Sequence, residues 1–124
     1  MPMYCVTMRF VGARVLELRR QNLPTGTTLL RSFTLAGGVV FHINAPAVDT
    51  PDAFGAAAPV SFGSASRVFF NSDGMLVDQA GSPVNGTIFV ALPEHPESAR
   101  AVSVLGSTGR VRGFRWTGNH WTQL

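Results

Sequence analysis

Histidine, cysteine, serine and carboxylate side chains are the groups that would carry hydrolytic or metal chemistry, and here they are scattered. His42, His95 and His120 lie far apart, and none forms the HxH or HxxxH spacing that puts two imidazoles on one metal. Cys5 is the single cysteine, which excludes an intrachain disulfide and a cysteine-based zinc site. Ser64, Ser66 and Ser107 lie near glycines, yet none sits in a GxSxG elbow. Neither GxGxxG nor a Walker loop is present. Asn71-Ser72-Asp73-Gly74 opens like a calcium loop but lacks the further acidic ligands and the distal Glu, so it reads as a turn. The expectation is a protein that is not an enzyme, with no catalytic residue, no metal and no cofactor.

The remaining candidates are binding residues. On a strand, Arg110 and Arg112 share a face with Phe114 and Trp116, while Val111, Gly113 and Arg115 take the other. Guanidinium groups beside aromatic rings can hold phosphates and stack on bases, so Arg110, Arg112 and Arg115 form a candidate nucleic-acid surface. The plainer alternative is that these arginines pair with some of the seven acidic groups or lie over the sheet on their aliphatic stems. Trp116 and Trp121 flank a turn at 117–120 and fall opposite each other, as a structural pair worth roughly 0.2–1 kcal/mol or as a stacking platform for a sugar. All ten cations are arginine; the net charge is +3 and the isoelectric point near 10.5. That balance permits contact with DNA or anionic lipid without requiring it.

These side chains must be positioned by short strands. The 124 residues fit one domain, taken as residues 1–124, because two halves would each be too small to bury a stable core. Thirteen glycines and eight prolines break the chain into pieces too short for long helices. Tyr4, Val6, Met8 and Phe10 alternate with polar neighbours in a first strand, a turn follows at Gly12-Ala13, and 14–20 returns as a second. Leu23-Pro24-Thr25-Gly26 is a turn, followed by two short strands at 27–30 and 32–35, then an apolar strand at 39–43. Residues 44–59 read as a long surface loop. Strands are expected at 60–62, 67–70, 75–77, 87–92, 100–105, 110–116 and 121–123, with a surface loop over 92–98 that holds His95 between two prolines. The fold class is therefore mainly β, two packed antiparallel sheets in a sandwich, with any helix confined to the N-terminal side. The longest apolar run, at 35–43, is about half of the ~20 residues a membrane helix needs. Met1-Pro2-Met3-Tyr4-Cys5 has neither the basic start nor the apolar core of a signal peptide.

Several segments in order resemble the globular head of GspH/FimT-type minor pseudopilins and pilins. They are Val68-Phe69-Phe70-Asn71-Ser72-Asp73-Gly74, Gly86-Thr87-Ile88-Phe89-Val90, Arg100-Ala101-Val102-Ser103-Val104 and Gly109-Arg110-Val111-Arg112, with the Leu23-Pro24-Thr25-Gly26 turn before them. The similarity spans roughly residues 4 to 124 and is strongest from Arg67. It implies a structural subunit of a type II secretion pseudopilus or a type IV pilus, assembling with other pilin subunits near the filament tip. The implied location is the cell envelope, on the periplasmic side of the inner membrane. Family members begin with a prepilin motif and a long apolar anchoring helix, neither of which this chain carries. Ser32-Phe33-Thr34-Leu35-Ala36 only echoes that motif and reads as strand. The resemblance thus implies a membrane-anchored parent cut close to Met1. Two other functions stand beside assembly: a DNA-binding pilin for DNA uptake, and a free β-sandwich module that binds carbohydrate or another ligand.

Overall fold

A computed structural model describes residues 6–22, 25–43, 50–56, 58–65 and 67–124. Tyr4 and Cys5 of the expected first strand, Leu23 and Pro24 of the expected turn, residues 44–49 and Ser66 lie outside them. Among the described residues eleven strands follow one another: β1 Val6–Val11, β2 Val15–Gln21, β3 Thr27–Thr34, β4 Val40–Phe41, β5 Val60–Ser61, β6 Phe69–Phe70, β7 Leu76–Val77, β8 Gly86–Leu92, β9 His95–Leu105, β10 Arg110–Trp116 and β11 Trp121–Gln123. They form two antiparallel sheets. One runs β3-β2-β1-β6-β7, and the other runs β11-β10-β9-β8-β4 with β5 also against β8.

The alternation read in the sequence decides which side of each strand meets the core. Antiparallel partners share a face, so Met8, Leu18 and Arg31 line up on one side of the first sheet, as do Phe10, Leu16 and Phe33. Met8 and Phe10 pack with Phe70 onto Phe62, Val68, Leu76 and Val104, and Val60 and Ile88 join from the second sheet. Leu76 is wholly buried at the centre of this cluster; burying such a side chain contributes about 1.5–3 kcal/mol. Phe10 stands edge-on to Phe41 at 5.3 Å. The opposite face of β6 and β7 carries a smaller cluster of Phe69, Val77 and Met75. The buried Thr7 hydroxyl, on that same side, donates to the Val68 carbonyl at 2.8 Å.

Two turns repeat one design. Asn71 Oδ1 accepts from the backbone N–H groups of Asp73 and Met75, and Asp78 Oδ1 accepts from those of Ala80 and Ser82. Each loop ends in a glycine of positive φ, Gly74 at 80° and Gly81 at 85°, where a side chain would be strained. The β9–β10 loop then docks on the first of these turns. A Cβ at Gly109 would overlap the Gly74 carbonyl oxygen, and one at Gly106 would overlap the Val84 backbone. Leu76 N–H donates to the Gly106 carbonyl at 2.9 Å. The segments that carry the family resemblance therefore interlock, tying a hairpin of one sheet to a hairpin of the other.

Four sequence expectations change. The two strands expected at 27–30 and 32–35 are one strand, β3, because a bulge opposite Leu18/Arg19 absorbs the residue that breaks the alternation. The loop expected over 92–98 is a tight hairpin turn at Pro93-Glu94, with His95 paired to Leu92. Proline is tolerated at position 96 because the ladder shifts register there, and Ser98 Oγ takes up the Leu92 N–H at 2.9 Å. The strand expected at 39–43 shortens to Val40–Phe41. The helical element among the described residues is a 3-10 turn, Pro51–Ala53, lying mid-chain instead of on the N-terminal side.

Candidate functional site

The 3-10 turn is where the second sheet acquires its polar cluster. β10 sets Arg110 beside Leu105 and Arg112 beside Ser103 across the β9 ladder, and β8 sets Thr87 on the other flank of Ser103. All five side chains share the sheet face that points away from the first sheet. Asp52 is lowered onto this face. Its carboxylate accepts from Ser103 Oγ at 2.5 Å, from Arg112 at 3.0 Å and from Arg110 at 3.3 Å. Ser103 is 1% exposed and the Asp52 side chain 14% exposed. Burial pushes the Asp52 carboxyl upward, but the Ser103 hydrogen bond and the hydrogen bond and charge of Arg112, with Arg110 behind them, outweigh it and hold it below the ordinary carboxylate value.

This clasp holds an unfavourable backbone in place. Asp52 and the following Ala53 have φ of 54° and 56°, the left-handed region that costs a residue with a side chain roughly 1–2 kcal/mol. Asp is among the few residues that tolerate it, and the ion pairs anchor the strained turn. Next to it, Ile43, Ala56 and Trp121 close over Phe89, Ala101 and Phe114. The loop thus serves as a lid for a sheet face that would otherwise lie open.

Of the residues singled out in the sequence, Arg110 and Arg112 come together, and they do so on Asp52. Phe114, expected on the same face, is buried. Arg115 lies on the opposite face, exposed and directly across from Arg100. Trp116 and Trp121 are register partners across the turn, with ring centroids 5.3 Å apart at 61°. Trp121 leans in turn on Phe89 at 5.5 Å, so the pair continues the core outward. The histidines stay apart: His95 meets Glu97 at 3.1 Å, His120 contacts Asn119 and Thr117, and half-buried His42 donates its backbone N–H to Phe89. Among the described residues, no three His, Cys, Asp or Glu side chains gather as a metal site, and no helix is long and apolar enough to cross a membrane.

Asp52 escaped the sequence reading because its partners are about 60 positions away in the chain. One signal for it was present. Two arginines at i and i+2 on a half-buried face need a counter-charge, and an Asp after Pro51 in an alanine-rich stretch could supply one.

Three exposed large apolar side chains lie elsewhere, on one strand of the first sheet. β3 is an edge strand, and Leu29, Leu30 and Phe33 on it are 47%, 52% and 45% exposed. No family model, curated protein or solved structure matches the chain.

Proposed function

We propose that this chain is the globular head of a GspH/FimT-type minor pilin or pseudopilin, a structural subunit that works by assembling with other pilin subunits. The implied setting is the tip of a type II secretion pseudopilus or type IV pilus, with the parent protein anchored on the periplasmic side of the inner membrane. The observation that carries the reading is β3. An edge strand of eight residues, exposed along almost its whole length, presents unpaired backbone groups beside Leu29, Leu30 and Phe33. Such an edge invites association unless something covers it. A neighbouring subunit is the natural cover: its backbone can pair with the open edge while Phe33 on one face of β3 and Leu29 on the other pack against it.

Two further facts support assembly over the other functions. Arg110 and Arg112 are already engaged by Asp52, which leaves fewer free donors for a nucleic-acid backbone. Trp116 and Trp121 pack edge to face on each other, which is a poor platform for a flat sugar face.

The test is made in cells producing the full-length parent protein. Sheared filament fractions are probed for the protein, with and without Leu29→Asp and Phe33→Asp. The expected result is co-fractionation with filaments, lost in the double variant while the isolated head keeps its melting temperature. A parent lacking an apolar N-terminal helix, or a double variant that stays with the filaments, would overturn the proposal.

A further inference from the structure

We propose that the cleft beside β1 is a docking site for an acidic peptide segment that binds in extended conformation along the open edge of that strand. The inference does not depend on the pilin reading. β1 pairs with β6 only through Val6 and Thr7, although it runs on to Val11. Beyond Thr7 its second edge has no strand partner among the described residues, and a cleft of about 650 Å³ opens between it and residues 58–65 and 67–68. Met8, Phe10 and Phe62 give the cleft apolar walls, while Arg9, Arg19 and Arg67 also line it.

The register explains why the ladder stops. Thr7 stands opposite Phe69, so two more residues would set Arg9 opposite Arg67. Like charges in that position repel and oppose pairing. Arg67 instead lies over the Phe69 ring at 5.7 Å. Arg9 has Glu17 as its register partner on β2, but the Glu17 carboxylate is bridged by Arg19 at 3.1 Å. The one carboxylate beside these three arginines is thus already taken by Arg19. Arg9 and Arg67 are exposed, with no ion-pair partner among the described residues.

Three features choose a peptide over a nucleic acid. An unpaired strand edge offers backbone hydrogen bonds to another backbone, and apolar walls accept every second side chain of an added strand. Carboxylates on the alternate positions meet the arginines as planar, two-pronged partners. Binding to single-stranded nucleic acid calls instead for accessible aromatic faces, and Phe62 and Phe69 are buried.

The experiment measures fluorescence anisotropy with a labelled peptide of about eight alternating Glu and Val residues, the length of one added strand. Its Gln–Val counterpart and an oligothymidylate of equal charge serve as comparisons. The Glu–Val peptide should bind, the Gln–Val peptide should not, and affinity should drop as salt rises from about 50 to about 500 mM. Arg9→Gln combined with Arg67→Gln should weaken binding about tenfold or more, the loss of two charge-assisted contacts. Arg115→Gln, on the other sheet, should leave it unchanged. Circular dichroism and melting of each variant confirm that the fold is kept, and Arg67→Gln alone gives a milder check. Absence of peptide binding, equal binding of the Gln–Val peptide, tighter binding of the oligothymidylate, or indifference to Arg9 and Arg67 would each overturn the proposal.

Discussion

Replacing Asp52 tests whether one carboxylate holds the lid of the second sheet. In Asp52→Ala, Ser103 loses its acceptor inside a site where it is 1% exposed; a buried hydroxyl left without its partner costs about 1–3 kcal/mol. Arg110 and Arg112 are 38% and 35% exposed, so water can take up their donors, and the two lost ion pairs add only about 0.5–1 kcal/mol together. Nothing is relieved in return, because Ala at φ near 54° remains as strained as Ala53. The sum is a loss of about 1.5–4 kcal/mol, or about 6–15 °C in melting temperature for a domain of this size. Asp52→Asn keeps an acceptor for Ser103 and tolerates the same backbone, so it should lose about half as much. The pH dependence follows from the depressed carboxyl. A group whose folded-state pKa lies below its unfolded one stabilises the fold above the unfolded value, and that contribution disappears as pH falls through the folded one. The gap between parent and variant should therefore be full at neutral pH and close progressively below the ordinary value of 3.8. Thermal unfolding by circular dichroism at neutral pH and at about pH 3 reads both effects. An Asp52→Ala variant melting within about 1 °C of the parent at neutral pH, or a gap that widens on acidification, would refute the clasp.

Gly109→Ala should destabilise by at least about 2 kcal/mol, because the new methyl overlaps the Gly74 carbonyl at a φ of 74° where Ala is itself strained; urea unfolding reads it, and a neutral outcome would disprove the interlock. Gly86→Ala drives a methyl into the Phe62 ring and should cost about 1–3 kcal/mol, with Gly86→Ala plus Phe62→Leu recovering part of the loss in the same assay. Trp116→Ala should lose about 0.5–1.5 kcal/mol from the tryptophan pair beyond its area burial, and near-ultraviolet circular dichroism should lose the signal of the coupled indoles; an unchanged spectrum would mean the pair is not formed in solution.

Strand positions were legible wherever alternation and turn chemistry acted together. The sequence placed Arg110–Trp116 and Trp121–Gln123 where the structure has them, since Gly109 and Gly118 mark the turns that bound them. Apolar runs carried β8, which is buried on both faces because the first sheet covers one side and the Pro51–Ala53 loop the other. Reading failed at irregular positions. Leu30 looks like a strand end because it breaks the period, yet it is an extra residue within one strand. Pro93 and Pro96 suggested a long loop, although two residues suffice to turn the chain once Ser98 takes over a ladder hydrogen bond. The Arg-x-Arg face was visible in the sequence and its occupant was not, because Asp52 reaches it through tertiary packing and not through any local pattern.

Where the acidic groups are spent decides which arginines remain available. Asp52 engages Arg110 and Arg112, and Glu17 engages Arg19. Asp78 gives its oxygen to the backbone of its own turn, and Glu97 faces His95. None of these reaches Arg9, Arg20, Arg31 or Arg67, all on the first sheet or its approach, the sheet whose exposed β3 edge carries Leu29, Leu30 and Phe33. On the second sheet Asp52 compensates the arginines of the motif Gly109-Arg110-Val111-Arg112, while Arg100 and Arg115 face each other with no ion-pair partner among the described residues. If binding of any acidic partner were to map to that motif in the native protein, Asp52 would have to leave first. Arg110→Gln with Arg112→Gln should then matter only in an Asp52→Asn background, and salt-dependent binding lost in the arginine variant with Asp52 intact would show that the clasp opens on its own.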